Sequence, residues 1–389
     1  MSENFDVAVI GLGAMGSAAL WQLARRQARV VGIDRYAPPH AQGSTHGETR
    51  ITRRGIGEGE AYVPLAMRSH EIWREIEAET GEQCLFEVGA LIISLHDDDA
   101  ERPARTGFIR TSIAAAQRYG IEHEVLDASE LRLRFPNLTP RDEEIGYFEP
   151  GGGYLWPERC VAANLALAER HGATQYLGER VLLVRSNGGG VRIETDRRVI
   201  LAGQAIVSAG AWAGQLLGAP YDRVLQPKRQ VMHWFGLAPE APVEAWRNSP
   251  VFMWPHGAGP DDFFYGFPSQ DGLSVKTADE FYGEPSDPDA IDRVVPDSDS
   301  RRMHAAHLAG RLAGVTPRAV KTATCIYTVT ADNAFLIDRH PEHDNILVAS
   351  PCSGHGFKHS AAIGENLAQW ALEGGPGIDL SAFNLARLL

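Results

Sequence analysis

Residues 5–34, FDVAVIGLGAMGSAALWQLARRQARVVGID, decide the fold of this chain. The short apolar run 5–10 is typical of a buried parallel strand, and residues 14–27 have the spacing of a helix. A second apolar run, 30–33, ends at Asp34. The stretch therefore predicts a strand, a tight turn, a helix and a second buried strand.

The turn in this stretch has the pattern GxGxxG. Gly11 permits the tight turn, Gly13 lets a pyrophosphate approach the backbone, and Gly16 allows close packing of helix on strand. The N-terminus of the helix offers free N–H groups and a positive partial charge to phosphates. Asp34 is placed to bind a ribose hydroxyl and to repel the 2′-phosphate of NADP. The motif predicts a dinucleotide site and does not by itself separate FAD from NAD.

The rest of the chain adds more helices and many strands. Helical spacing is found at 61–79, 108–119, 158–171 and 354–372. Strand-like runs lie at 90–94, 180–185, 191–195, 205–207, 229–235, 263–267, 273–276, 323–328 and 346–349. The strands between 229 and 328 alternate and lie near turns, as in an antiparallel sheet.

This order predicts an α/β fold with two domains, in agreement with a length of 389 residues. The first would be a Rossmann-like nucleotide-binding domain made of discontinuous segments. The second would be an inserted, mainly antiparallel substrate domain. The predicted boundaries are 1–85, 150–220 and 325–389 for the first domain, and 86–149 and 221–324 for the second.

Composition excludes several classes of protein. The chain has 37 Lys and Arg against 50 Asp and Glu, a formal charge of -13, so it is a poor candidate for binding nucleic acid. No apolar run approaches the roughly 18 residues that suggest a membrane span. The first strand begins too early to leave room for a removable leader. Four cysteines without CxxC spacing favour the reducing cytoplasm.

Two polar, Gly-rich segments stand out. Residues 43–54, GSTHGETRITRR, could cradle phosphate or flavin edges, or could form a solvated face. Residues 353–359, SGHGFKH, follow a buried run and open a long helix, whose N-terminus can face an anion.

Histidine pairs and one cysteine have simpler interpretations. The pairs His355/His359, His304/His307 and His340/His343 lack an evident third ligand, so we expect no metal site. We expect the last two pairs on solvated helix or turn. Cys325 by itself is typical of a buried, inert thiol.

Taken together and in order, these segments resemble the monomeric sarcosine oxidase family, which includes N-methyltryptophan oxidase and pipecolate oxidases. The resemblance covers essentially the whole chain. Its specific segments are 9–16, 37–40, 43–53, 57–65, 265–268, 325–328 and 353–358. It implies a monomeric flavoenzyme with covalently bound FAD and a fold like that of glutathione reductase and D-amino-acid oxidase.

The resemblance also implies roles for individual residues. Cys325 would bond to the flavin 8α-methyl carbon, with Cys352 as a rival thiol. Arg53 and Lys358 would hold the substrate carboxylate, one as a fork and the other as a point charge. Lys276 would stabilise the charge that develops on molecular oxygen.

Further residues are assigned by the same resemblance. His46 and Arg50 would lie near the flavin ring, and Tyr265 and Tyr327 would line the substrate cavity. Cofactor contacts are predicted for Gly11, Gly13, Ala14, Met15, Gly16, Asp34, Arg35, Ser44, Thr49, Arg50, Cys325, Gly354, His355, Gly356, Phe357 and Lys358.

The chain departs from the family at three places. Thr45 and Arg54 stand where histidines are common. The family typically has a histidine a few residues after the oxygen-side lysine, and here Asp279 or Glu280 falls there. A carboxylate at that place would favour a cationic amine or an extra polar group on the substrate.

The expected function is an FAD-dependent oxidase of an N-methyl or cyclic secondary α-amino acid. The neutral amine would transfer a hydride equivalent to flavin N5, and oxygen would become hydrogen peroxide. The alternatives are a flavin-dependent amine dehydrogenase with another acceptor, an NAD-dependent dehydrogenase, and a non-catalytic flavin-binding protein.

Overall fold

The computed structural model describes residues 4–95, 97, 106–280 and 283–389. The helices are α1 (Ala14–Arg25), α2 (Val63–Thr80), α3 (Phe108–Tyr119), α4 (Ala128–Arg134), α5 (Pro157–Arg170), α6 (Ala213–Leu217), α7 (Tyr221–Val224), α8 (Val243–Arg247), α9 (Asp297–Met303) and α10 (Ser360–Glu373). None of these helices is long and apolar enough to cross a membrane.

The strands belong to three sheets. They are β1 (Asn4–Ile10), β2 (Val30–Asp34), β3 (Arg50–Thr52), β4 (Leu85–Phe86), β5 (Ala90–Leu95), β6 (Glu124–Leu126), β7 (Glu144–Glu149), β8 (Gly153–Leu155), β9 (Thr174–Leu177), β10 (Val181–Ser186), β11 (Val191–Thr195), β12 (Val199–Val207), β13 (Gln226–Leu237), β14 (Val251–Pro255), β15 (Phe263–Gly266), β16 (Ser274–Asp279), β17 (Val315–Val329), β18 (Leu336–His340) and β19 (His343–Ser350).

The first sheet is built around β1. Strands β2 and β12 flank β1 in parallel, β9 pairs in parallel with β2, and β19 pairs in parallel with the end of β12. All five residues of β2 are buried, as expected for a parallel strand covered on both faces. Helices α1, α5 and α10 cover one face, and Gly364 lets α10 approach α1 closely, because a Cβ there would lie 2.5 Å from that of Ala18.

The second sheet is mainly antiparallel, in the order β17-β13-β16-β15-β14-β5-β7-β6, with only β14 and β5 parallel. Its register decides which side chains share a face. Trp234 lies opposite Lys276, Tyr265 opposite Ala278, and Gln230 opposite Cys325. Since opposite residues share a face and successive residues alternate, Lys276, Tyr265, Cys325 and Tyr327 all lie on one face of this sheet.

The third sheet, β3-β8-β4, contains only short strands. Strand β3 begins at Arg50, and Arg53 follows its last residue directly. The polar segment 43–54 is therefore anchored by strand pairing at the point where its arginines begin.

The predicted pattern of a parallel nucleotide-binding half and an antiparallel half is confirmed. The run 323–328 proved to be the end of the 15-residue strand β17, which belongs to the antiparallel sheet. The predicted domain boundary at 325 falls inside that strand, and the division of the chain into two domains stays a prediction.

The expectation of solvated histidines at 304 and 307 was wrong for His307. This side chain is buried, and its Nδ1 lies 2.9 Å from Nε2 of His256. The turn at His304–Leu308 is packed against the antiparallel sheet, which the local sequence does not show. His304 is half-buried, and its Nε2 lies 3.1 Å from the Val315 carbonyl oxygen. His340 and His343 stack on each other with ring centroids 4.7 Å apart.

Candidate active site

A cavity of about 290 Å³ lies at the carboxyl ends of β1 and β2 and the N-terminus of α1. Gly11 has φ of +87°, and a Cβ there would lie 2.5 Å from the Ser208 carbonyl oxygen. A Cβ on Gly16 would lie 1.7 Å from the Gly11 carbonyl oxygen. A Cβ on Gly13 would meet only the Thr45 hydroxyl, at 3.5 Å, so this position keeps the cavity open to a close ligand.

The cavity wall fits the two ends of a nucleotide. Helix α1 has no side-chain cap at Gly13, and Gly13, Ala14 and Met15 line the cavity, so its N-terminus faces the space that phosphates would occupy. The Ala14 N–H makes a long hydrogen bond of 3.4 Å to the Thr45 hydroxyl. Asp34 lies in the same wall, accepting from the Leu12 N–H at 2.7 Å through Oδ2 and from the Tyr36 N–H at 2.8 Å through Oδ1. Each carboxylate oxygen retains acceptor capacity for a ribose hydroxyl.

Other residues that were predicted to contact the cofactor also line this first cavity. Arg35, Ser44, Gly354, Gly356 and Phe357 line the cavity. The guanidinium of Arg35 also pairs with Asp289 at 2.6 Å. The Ser44 hydroxyl donates to the Ile326 carbonyl, which ties the polar segment to β17.

A second cavity of about 60 Å³ shares Arg50, Tyr327, Gly354 and Phe357 with the first. Its wall brings together predicted residues that are far apart in sequence. Those residues are Arg50, Arg53, Tyr265, Tyr327, His355 and Lys358. The hydroxyls of Tyr265 and Tyr327 lie 3.1 Å apart, and burial raises the pKa of Tyr265, so its phenol stays protonated.

Three buried charges meet in this second cavity. Nη2 of Arg53 donates to Oε2 of Glu58 at 2.7 Å, and Nζ of Lys358 donates to Oε1 of Glu58 at 3.2 Å. Nε and Nη1 of Arg53 are buried and have no hydrogen-bond partner among the described residues. The cluster carries one more positive than negative charge and keeps two guanidinium donors for a further acceptor.

Lys276 lies beneath the polar segment rather than in the wall of either cavity. Its Nζ donates to the Gly47 carbonyl at 2.5 Å, the Thr49 carbonyl at 2.8 Å and the Thr49 hydroxyl at 3.0 Å. Burial, reinforced by Arg50, holds the pKa of Lys276 well below its ordinary value. Thr49, a predicted cofactor contact, is fully buried and serves here as a partner of the lysine.

His46 is also buried behind the first cavity. Burial, reinforced by the charges of Arg50 and Lys276, lowers the pKa of His46 to about 3, so the imidazole is neutral. Its Nε2 has no hydrogen-bond partner within the described part of the chain.

The two thiols differ in exposure. Cys325 is fully buried, and burial raises its pKa to about 11, against the opposing charges of Arg50 and Lys276. Cys352 lies in the wall of the first cavity, and its Sγ accepts from the Thr328 N–H at 3.4 Å.

The sequence did not decide whether Asp279 or Glu280 takes the place of the histidine that the family typically has there. The Asp279 carboxylate pairs with Arg302 at 2.9 Å and lies 3.7 Å from His307, on the far side of the sheet. Glu280 lines the second cavity. Successive residues of a strand face opposite sides, and register places Lys276 and Glu280 on the same side.

Sequence reasoning also missed several cavity residues. Glu58 and the apolar side chains of Phe108, Met253 and Phe263 line the second cavity without having been predicted. Glu58 lies in segment 57–65, one of the segments on which the family resemblance rests. Its only further signal in the sequence is a negative charge five residues from the positive charge of Arg53. The apolar residues carried no signal beyond ordinary core composition.

Comparison with known proteins agrees with this geometry. The family model for FAD dependent oxidoreductases matches residues 6–370. Monomeric sarcosine oxidase of Streptomyces avermitilis is 39% identical over 398 aligned residues, which cover 100% of this chain and 99% of that protein. N-methyl-L-tryptophan oxidase of Salmonella typhimurium is 31% identical and covers 99% of both chains.

A solved structure of NikD, described as an unusual amino acid oxidase, superposes with a TM-score of 0.82 over 98% of both chains, at 24% identity. This likeness supports the fold alone. The predicted combination of an FAD-binding α/β half with an antiparallel half is confirmed.

Fold and cavity together define an FAD-dependent oxidoreductase. The chain belongs to that family, with monomeric sarcosine oxidase and N-methyl-L-tryptophan oxidase as full-length relatives. Membership of a flavin family removes the alternative of an NAD-dependent dehydrogenase.

Proposed function

We propose that this protein oxidises a secondary α-amino acid, N-methylated or cyclic, with molecular oxygen as the final acceptor. The amino acid would lose two electrons and two protons to give an imine, and oxygen would gain them to give hydrogen peroxide. Water would then hydrolyse an acyclic imine. The names of the two curated relatives, which act on N-methyl amino acids, support this substrate class.

The observation that carries the proposal is the state of Arg53. This buried guanidinium has two N–H groups without a partner among the described residues, in the wall of a cavity that also contains Lys358. Buried polar groups in proteins are nearly always hydrogen-bonded, so these donors need an acceptor. A substrate carboxylate would supply such an acceptor, with the Lys358 ammonium as a second charge.

The remaining walls would orient and shield the substrate. Phe108, Met253 and Phe263 form apolar surface that excludes water. The protonated phenol of Tyr265 can donate a hydrogen bond but cannot act as a base. Glu280 places a carboxylate in the same wall, which would favour a cationic amine or a polar group on the substrate.

FAD, when bound, supplies the acceptor for the hydride equivalent and returns the electrons to oxygen. The first turn of α1 would hold the phosphates of FAD, and Asp34 would bind a ribose. The loop 353–357 would hold the flavin end of the cofactor. The ammonium of Lys276 would stabilise negative charge developing on oxygen.

We further propose that Cys325 carries the FAD covalently. It lies on the same sheet face as Tyr327, which lines both cavities. Burial raises its pKa to about 11, and the positive charges of Arg50 and Lys276 offset part of that rise. A cytoplasmic location and a monomeric state stay predictions.

A peroxide assay of the purified holoenzyme tests the proposal. The panel would contain sarcosine, N-methyl-L-tryptophan, L-proline and L-pipecolate, each matched with its methyl ester. We expect at least one acid to yield one peroxide per turnover, and its ester to react about 100-fold less efficiently, because it cannot bind two cations. Bleaching of the flavin without peroxide would identify a dehydrogenase, and no bleaching with any secondary amine would overturn the proposal.

A further inference from the structure

The backbone N–H and carbonyl of Gly47 are hydrogen-bonded to two charged side chains from different parts of the fold. Oε1 of Glu158 accepts from the Gly47 N–H at 2.6 Å and from the Glu48 N–H at 3.2 Å. The Gly47 carbonyl accepts from Nζ of Lys276 at 2.5 Å. One carboxylate and one ammonium therefore hold the same turn from opposite ends.

This turn has a backbone that depends on such support. Gly47 has φ of +98°, and a Cβ there would lie 2.8 Å from the Met232 sulfur. Glu48, which is not glycine, has φ of +72°, a strained conformation that persists only where its surroundings impose it. Glu158 binds its N–H, while Trp234 and Lys321 bind its side chain.

Glu158 can supply a negative charge near Lys276 as well as hold the turn in position. It lies in the first turn of α5, and its Oε2 is buried without a hydrogen-bond partner among the described residues. The rings of Trp234 and Phe267 lie 5.4 Å and 4.6 Å from Nζ of Lys276, so the ammonium has little solvent to stabilise it.

The charged and titratable groups around Lys276 shift its pKa in opposite directions. Burial and Arg50 lower the pKa of Lys276, whereas Glu48, Glu158 and Cys325 raise it. His46 is neutral, and Lys321 is paired with Glu48. The Glu48 carboxylate is thus shared with another lysine, whereas Glu158 forms no ion pair with a cationic side chain among the described residues.

We propose that Glu158 is a positioning residue for Lys276: through the Gly47–Thr49 turn it holds the ammonium in place and keeps it charged. This inference rests on the proposed role of Lys276 in oxygen reduction. It assigns to α5 of the nucleotide-binding half a function in the reaction with oxygen.

The chain has only four lysines, Lys228, Lys276, Lys321 and Lys358, which makes a direct test practical. Holoenzyme labelled with ¹³C at lysine Cε should show four titrating signals, with that of Lys276 assigned from Lys276→Met. In Glu158→Gln, which keeps an acceptor for the Gly47 N–H but removes the charge, we expect the Lys276 titration to move down by about one pH unit. Glu169→Gln removes an exposed carboxylate from the same helix and should leave the titration unchanged.

The reaction with oxygen gives the functional readout. We expect reoxidation of reduced Glu158→Gln holoenzyme to slow about tenfold and to lose rate at lower pH than wild type, with anaerobic reduction by substrate unchanged. An unchanged Lys276 titration, or equal loss in both half-reactions, would overturn the inference. If Glu158→Gln fails to fold, Glu158→Asp keeps the charge and should titrate like wild type while reoxidising more slowly.

The proposed role of Lys276 and the proposed role of Glu158 can be contradicted independently of each other. If Lys276→Met reoxidises at the wild-type rate, the proposed role of the lysine fails, whereas the titration of Lys276 in Glu158→Gln still decides whether Glu158 controls its charge.

Discussion

The guanidinium of Arg53 donates from Nη2 to Oε2 of Glu58 at 2.7 Å, with both side chains almost fully buried. Lys358 binds the other oxygen of the same carboxylate. Glu58 thus occupies part of the cationic surface that a substrate carboxylate would use. A buried ion pair of this kind contributes little net stability but is costly to break on one side.

Replacing Arg53 should weaken the binding of amino-acid substrates. In Arg53→Met the substrate carboxylate loses the guanidinium, and Glu58 loses one of the two cations that bind it, keeping the contact with Lys358. We expect KM to rise about 100-fold or more, which corresponds to about 3 kcal/mol. Steady-state kinetics with the best substrate measures this, with Arg118→Met as a control because Arg118 is exposed and pairs with Glu60. A change in kcat alone would contradict carboxylate binding by Arg53.

Replacing Glu58 should have the opposite effect on carboxylate ligands. Glu58→Gln removes the negative charge between the two cations, so a small carboxylate inhibitor should bind at least threefold more tightly. Perturbation of the flavin absorption spectrum measures its Kd, and Glu60→Gln, a nearby exposed carboxylate, serves as the control. Weaker binding in Glu58→Gln would mean that Glu58 organises the cations rather than competing for them.

The two thiols near the site can be separated by their effect on flavin attachment. After acid precipitation, wild type and Cys352→Ala should leave yellow colour in the pellet, whereas Cys325→Ala should release it to the supernatant. The reason is that Cys325 shares a sheet face with Tyr327, which lines both cavities, and that Arg50 and Lys276 offset part of the rise that burial causes in its pKa. Retention of colour by Cys325→Ala and its release by Cys352→Ala would assign the bond to the thiol in the cavity wall.

Glu280 should affect selectivity, and its neighbour Asp279 should not. Glu280→Gln removes a carboxylate from the cavity wall, so kcat/KM for amino acids with an extra basic group should fall about tenfold relative to neutral analogues. Asp279→Asn breaks the ion pair between the buried Asp279 carboxylate and the partly exposed Arg302, and should lower the melting temperature while leaving that ratio unchanged. Equal ratios in Glu280→Gln and wild type would exclude contact between Glu280 and the substrate side chain.

Buried neutral histidines should make the fold sensitive to mild acid. Burial lowers the pKa of His46 to about 3 and the pKa values of His70, His233 and His256 to about 4. Below the unfolded value of 6.5 the unfolded chain binds protons that the folded chain does not. The free energy of unfolding should therefore fall by about 1.4 kcal/mol per histidine per pH unit from 6.5 towards 4.

Urea unfolding at pH 7.5, 6.5 and 5.5 measures this slope. His233→Gln should reduce the slope below pH 6.5 by about 1.4 kcal/mol per pH unit, which is the contribution of one histidine. His171→Gln, which changes an exposed histidine, should not alter it. A slope that is identical in His233→Gln and wild type would contradict the assignment.

Local patterns predicted those parts of the site that depend on neighbours in sequence. The glycines of the first turn and Asp34 could be found because the strand, turn and helix that place them are contiguous. The antiparallel half could be found from alternation, although β14 was missed because its five residues are all buried and do not alternate. Glu58 lies only five residues from its partner Arg53, but its place between two cations could not be found from the sequence, because Lys358 lies 300 residues away.

The sequence by itself determined the nucleotide-binding half and the presence of an antiparallel sheet, because these follow from short-range periodicity and motif. The residue types of a carboxylate site came from the resemblance to a known family. Only the tertiary structure decided that Glu280 rather than Asp279 enters the cavity, and that Glu58 lies between Arg53 and Lys358. Those outcomes depend on strand register and on the docking of the polar segment against β17. Register is set by pairing between residues far apart in the chain, which no local pattern contains.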